Sequence, residues 1–120
     1  MPRKGYGNKK NCVNLHTIII YNTTFHVSDE VEKMFLDFIQ IQYLPHATAD
    51  GTMKCPILSR VMGSAHDGGT SYALQMQADS VKELQRWCLS TGKILSERIS
   101  THFGSSVVGF NTMMDVIHPK

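Results

Sequence analysis

The segment Gly69-Thr-Ser-Tyr-Ala-Leu-Gln-Met-Gln-Ala-Asp79 constrains this chain more than any other. It alternates Tyr72, Leu74, Met76 and Ala78 against Ser71, Ala73, Gln75 and Gln77. Side chains on an extended backbone point to opposite faces in turn, so the alternation describes a strand with one buried face. Asp67-Gly68-Gly69 before it is a turn signal, and Asp79-Ser80 closes it. Ser80 and Glu83 then stand at the spacing of a capping box, which satisfies free N–H groups of a first helical turn. Turn, strand, cap and helix follow without a gap, and no catalytic motif comes with them.

The rest of the chain supplies partners for that strand. Thr17 to Val27 is β-branched and aromatic, with Ile19, Tyr21, Phe25 and Val27 on one face and Ile18, Ile20, Asn22 and His26 on the other. A strand apolar on both faces belongs in the middle of a sheet. Ser28-Asp29-Glu30 opens a helix with carboxylates where the macrodipole favours them. Pro45 sets its expected end near Leu44. Its apolar stripes are Val31, Met34, Phe35, Phe38 and Ile41, and Leu36, Ile39 and Tyr43, which is more apolar surface than one sheet needs. Met53 to Met62 reads as a strand that Pro56 confines to a sheet edge. A hairpin loop over Gly63 to Gly69 leads into the alternating strand. The second helix runs from Val81 to about Phe103, with Leu84, Trp87, Cys88, Ile94, Leu95 and Ile99 inward and a kink expected near Gly92. Gly104 stops it, and Ser106 to Ile117 is the last strand.

This order, β-α-β-β-α-β, predicts an α+β, ferredoxin-like fold: a four-stranded antiparallel sheet with two helices on one face. The opposite sheet face, with Ile18, Ile20, Leu58, Ala73, Val107 or Val108 to cover, then needs an occupant, and a second copy of the chain is the simplest.

At 120 residues and 42% apolar content the chain makes one domain, expected over 17–118. The net charge of +2 comes from Arg3, Lys4, Lys9 and Lys10, because eight basic residues face ten acidic ones from residue 11 onward. The basic character therefore belongs to a flexible arm over 1–16, too lightly charged to make nucleic acid an expected partner. Cys12, Cys55 and Cys88 show no CxxC spacing and read as reduced thiols of a cytoplasmic protein. The basic N-terminal residues precede no apolar h-region before Thr17, and no apolar run approaches the length of a membrane span, so neither a signal peptide nor a membrane segment is expected.

Several segments resemble a known family: Ile18-Ile-Ile-Tyr-Asn22, Tyr43-Leu-Pro45 with Thr48-Ala-Asp-Gly51, Gly68-Gly-Thr-Ser-Tyr-Ala-Leu-Gln75, and Phe103-Gly104 with Val108-Gly-Phe-Asn-Thr-Met-Met114. They are similar to domain of unknown function family 4286, short bacterial proteins common in Bacteroidetes and related in form to the dimeric α/β barrels. The resemblance covers Thr17 to Ile117 and implies a dimer whose sheets face each other. It implies no reaction.

Candidate chemical groups each carry a plainer alternative. The amides Asn22, Gln75 and Gln77 fall on central strands, where they could line a polar cavity or simply bond to neighbours and water. Arg60 could hold an anionic ligand with its guanidinium fork or join a rim ion pair. Tyr21 could present a phenol to the same space or be a core tyrosine with a satisfied hydroxyl. His46, on the expected loop after Pro45, is the histidine to consider as acid or base, although no carboxylate accompanies it in sequence. His66-Asp67 reads as turn chemistry. His16, His26, His102 and His118 share no metal-ligand spacing, so no metal and no cofactor are expected. Gly92-Lys93 lacks the remainder of a P-loop, Gly63 to Gly69 precedes no helix, and there is no GxSxG.

The sequence thus predicts a homodimeric, non-catalytic module that holds a small molecule between sheet and helices or at the dimer interface. The alternative is an enzyme of the cofactor-independent monooxygenase or isomerase kind, using Tyr21, Asn22, His46 or Arg60.

Overall fold

Every second residue of Ile19–Ser28 is buried, which is what a strand requires when helices pack on one of its faces. The structure, a computed structural model, describes residues 18–63 and 68–119. The basic arm expected over 1–16, His16 and the pair His66-Asp67 fall outside the described residues. Strands β1 (Ile19–Ser28), β2 (Lys54–Arg60), β3 (Gly69–Ala78) and β4 (Val107–Asp115) form one sheet in the order β2-β3-β1-β4. All three pairings are antiparallel. The fold is therefore the ferredoxin-like βαββαβ arrangement, with the first and third strands central.

Register sets which side chains meet. Tyr21 lies between Met76 and Met113, Thr23 between Leu74 and Asn111, and Phe25 between Tyr72 and Gly109. Edge strand β2 carries a bulge between Lys54 and Ile57, at Cys55-Pro56, where Cys55 has a φ of 55°. A proline without an N–H is tolerated there because an edge strand and a bulge both leave ladder positions unused. The expectation of three reduced thiols fails at Cys55, which is disulfide-bonded, whereas Cys88 is a free thiol. Spacing along a chain does not reveal pairs that folding brings together.

Both helices contain a π turn. Helix α1 starts as a 3₁₀ turn, Asp29–Val31, and continues as α-helix Glu32–Phe38, π turn Ile39–Tyr43 and α-helix Leu44–Ala47. It thus passes through Pro45 instead of ending before it. A proline ring normally collides with the carbonyl four residues back, here that of Ile41, but Ile41 lies inside the wider π turn. Helix α2 runs as Val81–Trp87, π turn Cys88–Gly92 and Lys93–Phe103. The Ser80 hydroxyl accepts a hydrogen bond from the Glu83 backbone N–H at 3.1 Å, so the expected cap is in place. Gly104, at a φ of 54°, ends the helix.

The π turns account for two of the three inward assignments that the structure reverses. Ile94 and Ile41 are exposed, at 45% and 70%, and Met34 lies exposed at the margin of its stripe. A plain α-helix continued from Trp87 would bring Ile94 inward seven residues later. The extra residue of the π turn rotates the following helix by about 100°, so Leu95, Ile99 and Phe103 face the sheet instead. In α1 the buried set becomes Phe35, Phe38, Ile39, Tyr43 and Ala47. These residues meet Tyr72, Leu74 and Met76 of the sheet in an aromatic core, with Phe25 against Phe35 at 5.1 Å and Phe35 against Phe103 at 6.0 Å between ring centroids. No described helix is long and apolar enough to cross a membrane.

A cleft between helix α2 and strand β4

The helices cover β1 and β3 but stop short of β4, where Val107 is the only buried residue of the strand. The gap is a cleft of about 190 Å³. Its floor is formed by Tyr21, Thr23 and Phe25 of β1 with Tyr43, Trp87, Ile99 and Val107. One rim is the stripe Gly92, Ser96, Ser100 and Gly104 along α2, and the other is Gly109 and Asn111 on β4. The space exists because both rims are built from small or short side chains, spaced four apart on the helix and two apart on the strand. Both π turns border it, through Tyr43 at the end of the first and Gly92 at the end of the second.

Trp87 anchors the floor. Its indole N–H donates to the carbonyl of Ala47 at 3.0 Å, tying the two helices together, and its ring meets Tyr21 edge-on at 5.7 Å. Gly92 is required beneath it, since a Cβ there would stand 2.6 Å from the indole ring. One hydrogen bond crosses the floor: Thr23 Oγ1 donates to Asn111 Oδ1 at 2.9 Å. Burial, reinforced by the Cys88 thiol, pushes the Tyr21 hydroxyl far above its ordinary ionisation range. Tyr43 is pushed up to about 12, again by burial first and Cys88 second, and burial also raises Cys88. All three groups therefore keep their protons at neutral pH, and among the described residues lining the cleft none is charged.

The candidates named from sequence do not converge on one place. Tyr21 lines the cleft. Asn22 and Gln75 are register partners on the opposite face of the sheet, with Gln77 one step further along that face. The Asn22 amide donates to Thr24 Oγ1 at 3.0 Å. Arg60 sits on edge strand β2, its guanidinium 5.7 Å above the Tyr72 ring, and the Tyr72 hydroxyl donates to Glu32. His46 belongs to the last turn of α1 instead of a loop, with Arg98 at 3.5 Å. Thr23, Trp87, Ser96, Ser100 and Asn111 were not singled out by sequence reasoning. The legible signal for Ser96, Ser100 and Asn111 was the repeat of small residues every four positions from Gly92 to Gly104, together with Gly109 and Asn111 two apart on the last strand. Among the described residues no group of three potential ligands could hold a metal ion.

The other face of the sheet carries exposed Ile57, Val108, Phe110 and Met114 beside half-buried Ile20. Of the residues expected there, Leu58 instead turns toward the helices, and of the alternatives Val107 and Val108 it is Val108 that lies on this face.

Fold and cleft define an α+β protein of ferredoxin-like form with an uncharged cavity between sheet and helices. The chain belongs to the family described as Domain of unknown function (DUF4286), whose model matches residues 18–117. No curated protein matches it. Solved structures share its fold. A protein of unknown function from Nitrosomonas europaea is similar at 12% identity and a TM-score of 0.65, covering 89% of this chain and 96% of that one. Hydroxynitrile lyase from Passiflora edulis is similar at 17% identity and a TM-score of 0.57, over 84% and 97%. A dimeric ferredoxin-like protein from an uncultured marine organism is similar at 8% identity and a TM-score of 0.51, over 88% and 100%.

Proposed function

We propose that this protein is a homodimeric, non-catalytic binding module whose cleft holds a small, neutral, largely apolar molecule. The observation that carries the reading is the make-up of the cleft, an aromatic floor beneath a rim of hydroxyls and one amide, without a charged side chain among the described residues. Such walls favour a ring and penalise a charge, which would be buried without a partner. An engineered apolar cavity of about 150 Å³ takes up benzene, so this space is sufficient for a substituted ring. Catalysis by proton transfer needs a group that ionises near neutral pH, and Tyr21, Tyr43 and Cys88 are all displaced away from it. The enzymatic alternative rests on Tyr21 alone among the residues first considered for it. The dimer reading is supported by the apolar outer face around Phe110 and by a structural relative described as dimeric.

Trp87 is the only tryptophan in the chain, so its indole N–H resonance reports on the cleft directly. Titration with ethylbenzene should shift that resonance saturably. Ser96→Phe, on the exposed rim of α2, should fill the cleft and abolish the shift while leaving the fold intact. An unmoved resonance in the unmodified protein would overturn the binding reading.

A further inference from the structure

The two edges of the sheet are built differently. Edge strand β2 carries Lys54, Arg60, Pro56 and a bulge, the features that keep a sheet edge from pairing with another chain. Strand β4 pairs with β1 in one unbroken register over nine residues, has no proline, and has Asp115, its last residue, as its one charge. Residues of an antiparallel strand bond alternately to the neighbour on one side and to the neighbour on the other. The Val116 N–H donates to the carbonyl of Ile18 at 3.2 Å, so the even-numbered residues of β4 bond toward β1. Val107, Gly109, Asn111, Met113 and Asp115 therefore turn both N–H and C=O to the open edge. Their side chains lie on the face of the sheet that carries the cleft, as the bond from Thr23 to Asn111 shows. Strand β4 is last in the sheet order, so among the described residues no strand meets these groups.

We propose that β4 pairs antiparallel with β4 of a second copy across a two-fold axis at Asn111, joining the two sheets edge to edge and giving each cleft a side chain from the other protomer. The strand is self-complementary about that point. Gly109 stands opposite the partner's Met113, so the longest side chain on this face of the strand meets the residue that has none. Phe110 stands opposite the partner's Thr112 on the outer face, an aromatic against a β-branched side chain. Asp115 meets the partner's Val107, which keeps the two carboxylates at opposite ends of the ladder. The five outward residues of each copy offer one donor and one acceptor apiece, or about ten hydrogen bonds in all, the number that an interface of standard size carries. The helices stop short of β4 and so leave this edge open to a second sheet. Met113, 56% exposed, then covers the rim of the other cleft at Gly109, and the binding site is complete only in the dimer. This rests on the homodimer reading above and assigns it an axis.

Amide hydrogen exchange on the full-length protein, with the mass in the same solution taken by light scattering, reads the pairing directly. At twice 13.5 kDa the N–H groups of Gly109, Asn111 and Met113 should exchange as slowly as those of Phe110 and Thr112, which bond to β1. Met113→Pro removes one outward N–H and no bond to β1, at a position where an edge strand accepts proline. It should keep the circular dichroism of the parent and fall to the single mass. Rapid exchange at all three amides in a protein of twice the mass would overturn the edge pairing and leave a homodimer joined through the outer sheet faces. A folded Met113→Pro protein still at twice the mass would overturn it as well. Slow exchange in a protein of the single mass would show that something other than a second copy covers the edge, and both the pairing and the homodimer reading would fall. Rapid exchange at the single mass would remove both in the same way. The exchange result comes from the unmodified protein and decides the matter if Met113→Pro does not fold.

Discussion

Gly92→Ala should destabilise this protein, against what helix propensity alone predicts. In an exposed helix the change gains about 1 kcal/mol, because glycine gives up more backbone freedom on folding. Here the new Cβ would stand 2.6 Å from the Trp87 ring and 3.0 Å from a second atom of the same ring. The ring cannot yield cheaply. Trp87 is 2% exposed, its N–H is bonded to Ala47, and Tyr21 stands edge-on against it. Overpacking of that kind costs about 1–3 kcal/mol, and displacing the indole from Ala47 forfeits a further ~0.5–1.5 kcal/mol. The net expectation is a loss of about 1–3 kcal/mol, or roughly 4–12 °C in melting temperature at about 4 °C per kcal/mol for a domain of this size. Urea unfolding followed by Trp87 fluorescence, with calorimetry beside it, measures this. The same substitution in a Trp87→Phe background should be neutral or stabilising, because the smaller ring leaves room for the methyl group. A Gly92→Ala protein as stable as the parent, with Trp87 present, would refute the argument that the π turn is shaped around this contact.

Other perturbations test other parts of the molecule. Burial raises the ionisation of Tyr43 from 10.0 to about 12, so between those pH values the folded state keeps a proton that the unfolded chain has lost. Stability is thus full below pH 10 and falls by roughly 2–3 kcal/mol on the way to pH 12. Denaturant midpoints measured across that range should show a shallower decline in Tyr43→Phe, and an unchanged slope would contradict the assignment. Ser80→Ala removes the cap bond to Glu83 and should lower the unfolding free energy by about 1 kcal/mol in urea, whereas Ser80→Asp should retain most of it. Phe110→Lys places a charge in the exposed apolar face of the sheet. By light scattering the parent should weigh about twice 13.5 kDa and the variant close to that single mass; a parent already at the single mass would remove the homodimer.

Much of the architecture was legible because its signals are local. The alternation from Tyr72 to Ala78, the pair Ser80 and Glu83, the edge position of Pro56 and the stop at Gly104 each depend on neighbours a few residues away. The inward faces of the helices were harder to read. A periodicity argument assumes 3.6 residues per turn throughout, and each π turn breaks that assumption at its centre. Ile41 and Ile94 were misplaced for this reason. The cleft was harder still, because it is defined by what is missing. Asn111 and Thr23 come together through strand register across 88 positions of chain, and Ser96 and Ser100 matter for their small size. Tyr21 could be anticipated because an aromatic hydroxyl on a central strand stands out, whereas a serine on a helix does not.

The π turn of α2 also determines how the chain would respond to the loss of one residue. Leu89, in that turn, is 79% exposed, and by its exposure it is a site where a change should be harmless. Deleting it would restore a regular helix and keep the phase of everything downstream, because Leu95 would then stand seven residues after Trp87, where a regular helix faces inward. Leu95, Ile99 and Phe103 would remain the buried set. The helix thus carries one residue more than its packing against the sheet needs, and it stores that residue in the π turn.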